Sequence, residues 1–281
     1  MRHDPHYESD ENPSSVLVER YRRAIESDDS MVSLAVVHYR GTHVEYDLGR
    51  RYIASADSWD RATGAEVLAQ LGWGDQTFRE ESIDALIPLL NDQEDEVVYS
   101  AAVALGHRRA DRAVPRLLEL AAHANPRVRE GVTHGLLGLE DARAVQGLIR
   151  LSSDEDRDIR NWATFGLGSM IETDSPDIRR CLKDRLSDPD HEVRGEALVG
   201  LATRGEPSVV DALRTEWRGD TISLLSLEAA SETGDARLLP HLMEFRDTLD
   251  TSEDPCFARA LAEAMVACTP RTEQGLEEKP F

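Results

Sequence analysis

The chain has 281 residues, with 54 acidic against 32 basic side chains and a formal charge of −22. Such a balance repels phosphate backbones and anionic bilayers, so it disfavours nucleic acid and membrane surfaces and favours a basic partner or simple solubility. Apolar residues make up 40 % and aromatics only 5 %, which suits stacked Ala- and Leu-rich helices better than a sheet core.

Cys181, Cys256 and Cys268 are too scattered for a disulfide framework, and none forms a C-x-x-C pair. Cys181, beside Leu182, is expected to be a buried thiol. Met-Arg-His-Asp-Pro-His-Tyr at the start has no apolar run, and no stretch approaches the roughly 18 apolar residues of a membrane span. The expected location is the cytoplasm.

In chain order, residues 1–14 are polar, contain Pro5 and Pro13, and read as a disordered tail. His3 and His6 lack the neighbouring acids or thiols of a metal site. Helix pairs follow: Val16–Ile25 with Ser30–Tyr39, His43–Ile53 with Ser58–Leu71, and Glu81–Leu90 with Glu96–Gly106. Asp111–Ala121 then pairs with Arg127–Leu137, Asp141–Leu151 with Arg157–Gly168, and Pro176–Leu186 with His191–Ala202. Pro207–Trp217 with Thr221–Ser231, and Ala236–Phe245 with Phe257–Cys268, complete about eight pairs in one array over 15–268, before a flexible tail at 269–281.

The second helix of each pair follows one pattern, clearest from Ile159 (slot one) to Leu167 (slot nine). Slots one, five, eight and nine are small or apolar and share a helical face. Val97–Leu105, Val128–Leu136, Val193–Leu201 and Ile222–Ala230 repeat it, with looser copies at Met31–Tyr39, Thr63–Leu71 and Phe257–Met265. Successive slot-nine residues lie 29 to 35 apart, a spacing of stacked helix pairs. Asn125-Pro126, Asp156 and Asp190 read as helix caps. Pro88, Pro115 and Pro240 fall near outer-helix starts. Glycines 135, 166 and 200 in slot eight imply close helix contact.

Asp-x-x-Ile-Arg-Asn-Trp-Ala-Thr-Phe-Gly-Leu-Gly, Asp-His-Glu-Val-Arg-Gly-Glu-Ala-Leu-Val-Gly-Leu and Asp-Arg-Ala-Val-Pro-Arg-Leu-Leu-Glu-Leu (111–120) resemble HEAT-like repeats of the phycobilisome-lyase type. The resemblance is strongest from about 81 to 205, and the whole chain is similar to uncharacterised bacterial HEAT-repeat proteins. It implies an all-α fold, a right-handed α-α superhelix of armadillo type, with inner helices lining a concave face that binds macromolecules. Such repeats specify a fold more than an activity.

The slot-two arginines Arg129, Arg160 and Arg194 are the most regular charges, and Asp154, Asp156, Asp188 and Asp190 are available to form a structural ladder with them. With slots one, five, eight and nine buried, slots three, six and seven face outward. Tyr99, Val103, Glu130, His134 and Asn161 then form a mixed first half, while Phe165, Leu198, Val199, Leu224, Leu227 and Glu228 form a largely apolar second half. An apolar strip rimmed by polar groups is how a protein-binding surface looks. Trp162, in slot four, reads as core, and Trp59, Trp73 and Trp217 as structural.

Glu130 and His134, four apart on one face, make a polar contact rather than a catalytic dyad, because no nucleophile or third ligand accompanies them. No phosphate loop, H-E-x-x-H or G-x-S-x-G occurs, so no catalytic residue, metal or cofactor is expected. The leading reading is a scaffold holding a basic protein partner in its groove, in one form as an inhibitor of immunity type. A glycosylase acting on DNA, with Tyr99, Phe165 and Glu130, is the enzymatic alternative, weakened by the missing basic surface. A bilin-lyase or chaperone role is the third, and no cysteine occupies a groove slot.

Overall fold

The computed structural model describes residues 10–23, 28–218, 222–250 and 254–270. His3, His6, Thr221 and most of both tails lie outside the described residues. Those described hold sixteen α-helices and no strand: α1 (Ser14–Arg23), α2 (Asp28–Arg40), α3 (His43–Ile53), α4 (Ser58–Ala69), α5 (Arg79–Leu86), α6 (Asp95–His107), α7 (Val114–Leu120), α8 (Pro126–Leu136), α9 (Ala142–Leu151), α10 (Arg157–Ser169), α11 (Pro176–Arg185), α12 (His191–Thr203), α13 (Val209–Glu216), α14 (Leu224–Thr233), α15 (Leu239–Thr248) and α16 (Pro255–Ala267). The fold is an all-α solenoid of helix pairs. It contains two compact units, Met1–Ala163 and Thr164–Phe281, divided within α10.

Within the first unit the inner helices stack as α4, α6 and α8, and within the second as α12, α14 and α16, each backed by an outer helix. Slot residues make the core: Val97, Ala101, Leu105, Val128, Val132, Leu136, Val193, Ala197 and Leu201 are all fully buried. Burying such side chains, each worth about 1.5–3 kcal/mol against exposure, is what stacks one pair on the next.

Helix starts follow the sequence signals. Asn125 accepts from the Arg127 N–H at 2.9 Å, and Asp190 from Glu192 and Val193 at 3.0 and 3.3 Å. Asp156 does the same for Asp158 and Ile159. Pro115 and Pro240 occupy first-turn positions of α7 and α15, whereas Pro88 opens a 3₁₀ segment rather than an α-helix. The expected helix over 81–90 changes at Ile87 into a 3₁₀ segment running to Asn91, because Pro88 offers no N–H to an i−4 carbonyl. The slot-eight glycines 135 and 200 do sit at close approaches: a Cβ on Gly135 would lie 2.9 Å from the Ala102 carbonyl, and one on Gly200 2.5 Å from the Gly168 Cα.

The tryptophans divide. Trp217 is buried and its Nε1 donates to Ser226 Oγ at 3.0 Å, whereas Trp59 is 55 % and Trp162 38 % exposed. Core packing for Trp162 is therefore a misreading. Slot four borders the buried face, and the indole projects past that border. Cys181 and Cys268 are buried and Cys256 exposed, all as free thiols.

Candidate functional site

On the first unit's inner face, helical spacing lines up Glu96, Tyr99 and Val103 on α6, and Arg127, Glu130 and His134 on α8. Gly131 lets the helices close: a Cβ there would stand 2.9 Å from the Tyr99 Cα. At that separation the Arg127 guanidinium lies 3.2 Å from the centre of the Tyr99 ring. Glu96 accepts from it at 3.1 and 3.3 Å and Glu130 at 3.0 Å. A guanidinium over an aromatic face between two carboxylates joins cation–π attraction to charge-assisted hydrogen bonds. Burial alone would lower the Arg127 pKa, but the bonds from Glu96 and Glu130 outweigh it and raise it.

Next along the face, His134 packs at 4.7 Å against the exposed ring of Trp162 on α10. Burial, then electrostatic repulsion from His107 and Arg127, push the His134 pKa down to about 4. The imidazole is neutral at physiological pH, so the 3.9 Å approach to Glu130 is no ion pair. On the other side Glu66 of α4 accepts from Ser100 Oγ at 3.1 Å and from Tyr21. Burial raises the Glu66 carboxyl, with Glu96 adding to the effect. Glu66 was not legible as a face residue because the register of α4 is three residues earlier than the sequence alignment. With Asp57 as cap, Leu68 rather than Leu71 holds slot nine.

The other expected residues spread out. Val103 is half-buried, and so is Asn161, whose Oδ1 is sealed without a donor. In the second unit Leu198, Val199 and Leu227 are 2 %, 3 % and 0 % exposed, which removes them from the expected accessible strip. Tight stacking is the reason: a Cβ on Gly195 would meet Leu225 at 2.7 Å, so Leu198, Val199 and Leu227 close between neighbouring inner helices. Leu224 and Glu228 remain exposed and Phe165 half-exposed. Glu196, missed because slot four was assigned to the buried border, is a half-buried carboxyl. Burial, then Glu228 and Glu192, raise its pKa to about 7.

Two of the slot-two arginines pair with acids, and a third arginine outside the expected set does the same. Arg129 binds Asp154 through Nε and Nη2, both at 2.8 Å, and Arg194 grips Glu216 at 2.7 and 2.9 Å rather than Asp190, which caps α12. Arg61, binding Asp92 at 2.7 and 2.8 Å, plays the same part. Arg61, Arg129, Arg160 and Arg194 each stand four residues after a cap. Each also turns Nη1 back onto two carbonyls of its own preceding turn at 3.0–3.3 Å. The signal that would have found Arg61 is its spacing from Asp57. These contacts tie the arginines to their own turns.

Among the described residues no group of three His, Cys, Asp or Glu side chains is placed to hold a metal. Among the described residues no helix is long and apolar enough to cross a membrane.

Comparison with known proteins settles the family. The HEAT-repeat model matches at 48–137, 83–168 and 145–231. The chain belongs to the HEAT-repeat family. It is 31 % identical over 170 residues to Protein YibA of Escherichia coli strain K12, covering 58 % of this chain and 60 % of that one. The chain thus spans about 60 % of the length of the curated relatives it matches. The X-ray structure of YibA superposes with a TM-score of 0.62 at 23 % identity, covering 94 % of this HEAT chain and 98 % of YibA. An engineered protein superposes at 0.54 with 17 % identity, over 90 % and 78 % of the two chains. At these identities the superpositions speak for the fold.

Proposed function

We propose that this HEAT-repeat protein is a non-enzymatic scaffold whose first-unit inner face takes up arginine side chains of a basic protein partner. The observation that carries this reading is Arg127 itself. Tyr99, Glu96 and Glu130 already hold a guanidinium, in the geometry that a partner's arginine needs. Glu96 and Arg127 keep 40 % of their side-chain surface and Trp162 is 38 % exposed, so an incoming segment has carboxylates and an indole to meet. The charge of −22 steers a basic partner toward the protein and away from nucleic acid. Masking a basic toxin or nuclease in the manner of an immunity protein is one form of this function.

The test is calorimetric titration with an arginine-rich peptide, beside an acidic peptide and duplex DNA as controls. Tyr99→Ala and Glu130→Gln each weaken the basic peptide about tenfold, on the order of 1.4 kcal/mol. Arg127→Ala vacates the cradle and tightens binding. Equal affinity for all variants would sink the assignment, and retardation of DNA would reopen the nucleic-acid reading.

A further inference from the structure

Two arginines at matching turns of the repeat reach back onto carbonyl groups, and only one of them meets a carboxylate. In the second unit Arg204 donates to the carbonyls of Leu167, Gly168, Ile171 and Thr173 at 2.7–3.2 Å. Asp174, next after Thr173, lies 3.9 Å from Arg204 Nε and is also bound by Arg179 at 2.6 Å. In the first unit Arg108 makes the same reach, to Leu68 at 2.8 Å and to Leu71 and Thr77 at 3.2 Å. The residue after Thr77 is Phe78, whose ring lies against Tyr46 and His43 at 4.8 and 4.6 Å. Where one turn has an acid, the other has an aromatic ring.

Arg108 is fully buried and no acceptor reaches its Nη2. The charge acting on it is another cation: burial, then Arg79, push its pKa down to about 10. Taking a cation out of water without a counter-charge costs several kcal/mol. Two more arginines belong to the same turn. Arg79 donates to the Arg109 carbonyl at 2.6 Å and shares Glu80 with Arg112. Arg109 is exposed, is held at φ +48°, and has no side-chain partner among the described residues. Glu80 and Asp84 balance Arg79 and Arg112 at this turn, and among the described residues no carboxylate pairs with the deepest cation, Arg108.

We propose that the turn carrying Arg79, Arg108 and Arg109 binds a small oxyanion, a phosphate or carboxylate group, which supplies the charge that Asp174 supplies in the second unit. The anion rests on Arg79 and Arg109, whose planar forks match its oxygens, with the charge of Arg108 behind them. This site is independent of the inner-face reading, since none of its residues belongs to the Tyr99 cluster.

The experiment is thermal unfolding of the full chain in inorganic phosphate, in acetate, and in chloride at matched ionic strength. At ten times its dissociation constant phosphate raises Tm by about 3 °C. Acetate acting equally well assigns the site to carboxylates, and inert acetate assigns it to phosphate. Arg109→Gly keeps the Tm in chloride, because glycine adopts the left-handed backbone freely, and loses the phosphate shift. Asp174→Asn removes the carboxylate from the second turn and adds to the shift. No rise in phosphate, or an equal rise in Arg109→Gly, overturns the proposal.

Discussion

The two units present different inner faces from one repeat pattern. In the first, Tyr99, Glu130 and His134 are half-buried and Trp162 is exposed, beside a captured guanidinium. In the second, Leu198 and Leu227 in slot six and Val199 in slot seven are buried. Slot six is closed in both units, since Ala102 and Thr133 are buried as fully. The units differ at slot seven, where His134 stays half-buried and Val199 is covered. An imidazole keeps a polar end near water, whereas Val lets the neighbouring helix close over it.

The ladder gives the largest expected effect. Arg129 and Asp154 keep 8 % and 9 % of their side-chain surface, against 22 % and 18 % for Arg194 and Glu216. Arg129→Ala strands Asp154 and destabilises by about 3–5 kcal/mol, and Arg194→Ala by about half as much, read by urea unfolding. Equal losses would mean that burial does not set the strength of a rung.

Gly131→Ala comes next, at about 1–3 kcal/mol, since its Cβ meets the Tyr99 backbone. Gly195→Ala meets only the Leu225 side chain, which can turn aside, so its cost is smaller. The same unfolding series ranks the two, and the reverse order would break the comparison.

The smallest effect is in pH. His38 and His134 of the first unit have pKa values lowered to about 4, below the ordinary 6.5, mainly by burial. The unfolded chain takes up those protons first, so stability falls as pH drops from 6.5 to 4. Glu196 of the second unit is raised from 4.5 to about 7. The folded chain keeps its proton longer, so stability falls as pH rises through 4.5 to 7. His134→Gln flattens the acid limb and Glu196→Gln the neutral one, in Tm measured from pH 4 to 8. Identical profiles for both variants would contradict these shifts.

The array itself was legible in the sequence. Slot periodicity, Asn125-Pro126 and the Asp156 and Asp190 caps located most helices to within a few residues, because burial and capping are local signals. The slot-two arginines were legible from their repeat, but their partners were left open among Asp154, Asp156, Asp188 and Asp190. Pro88 and the register of α4 were misread where the motif degenerates and tertiary packing chooses. Exposure at Trp162, Leu198 and Leu227 was not legible, since it depends on how closely a neighbouring repeat approaches. Glu66 and the carbonyl-bound Arg108 were invisible for a further reason: their partners lie some 30 to 45 residues away in sequence.

The most direct measurement is the affinity of an arginine-rich peptide for the wild type, Tyr99→Ala and Arg127→Ala, each first shown by circular dichroism to keep its helices. Weaker binding to Tyr99→Ala and tighter binding to Arg127→Ala is the result the inner-face cradle requires. Three indistinguishable affinities would mean that diffuse negative charge, not this face, attracts the peptide.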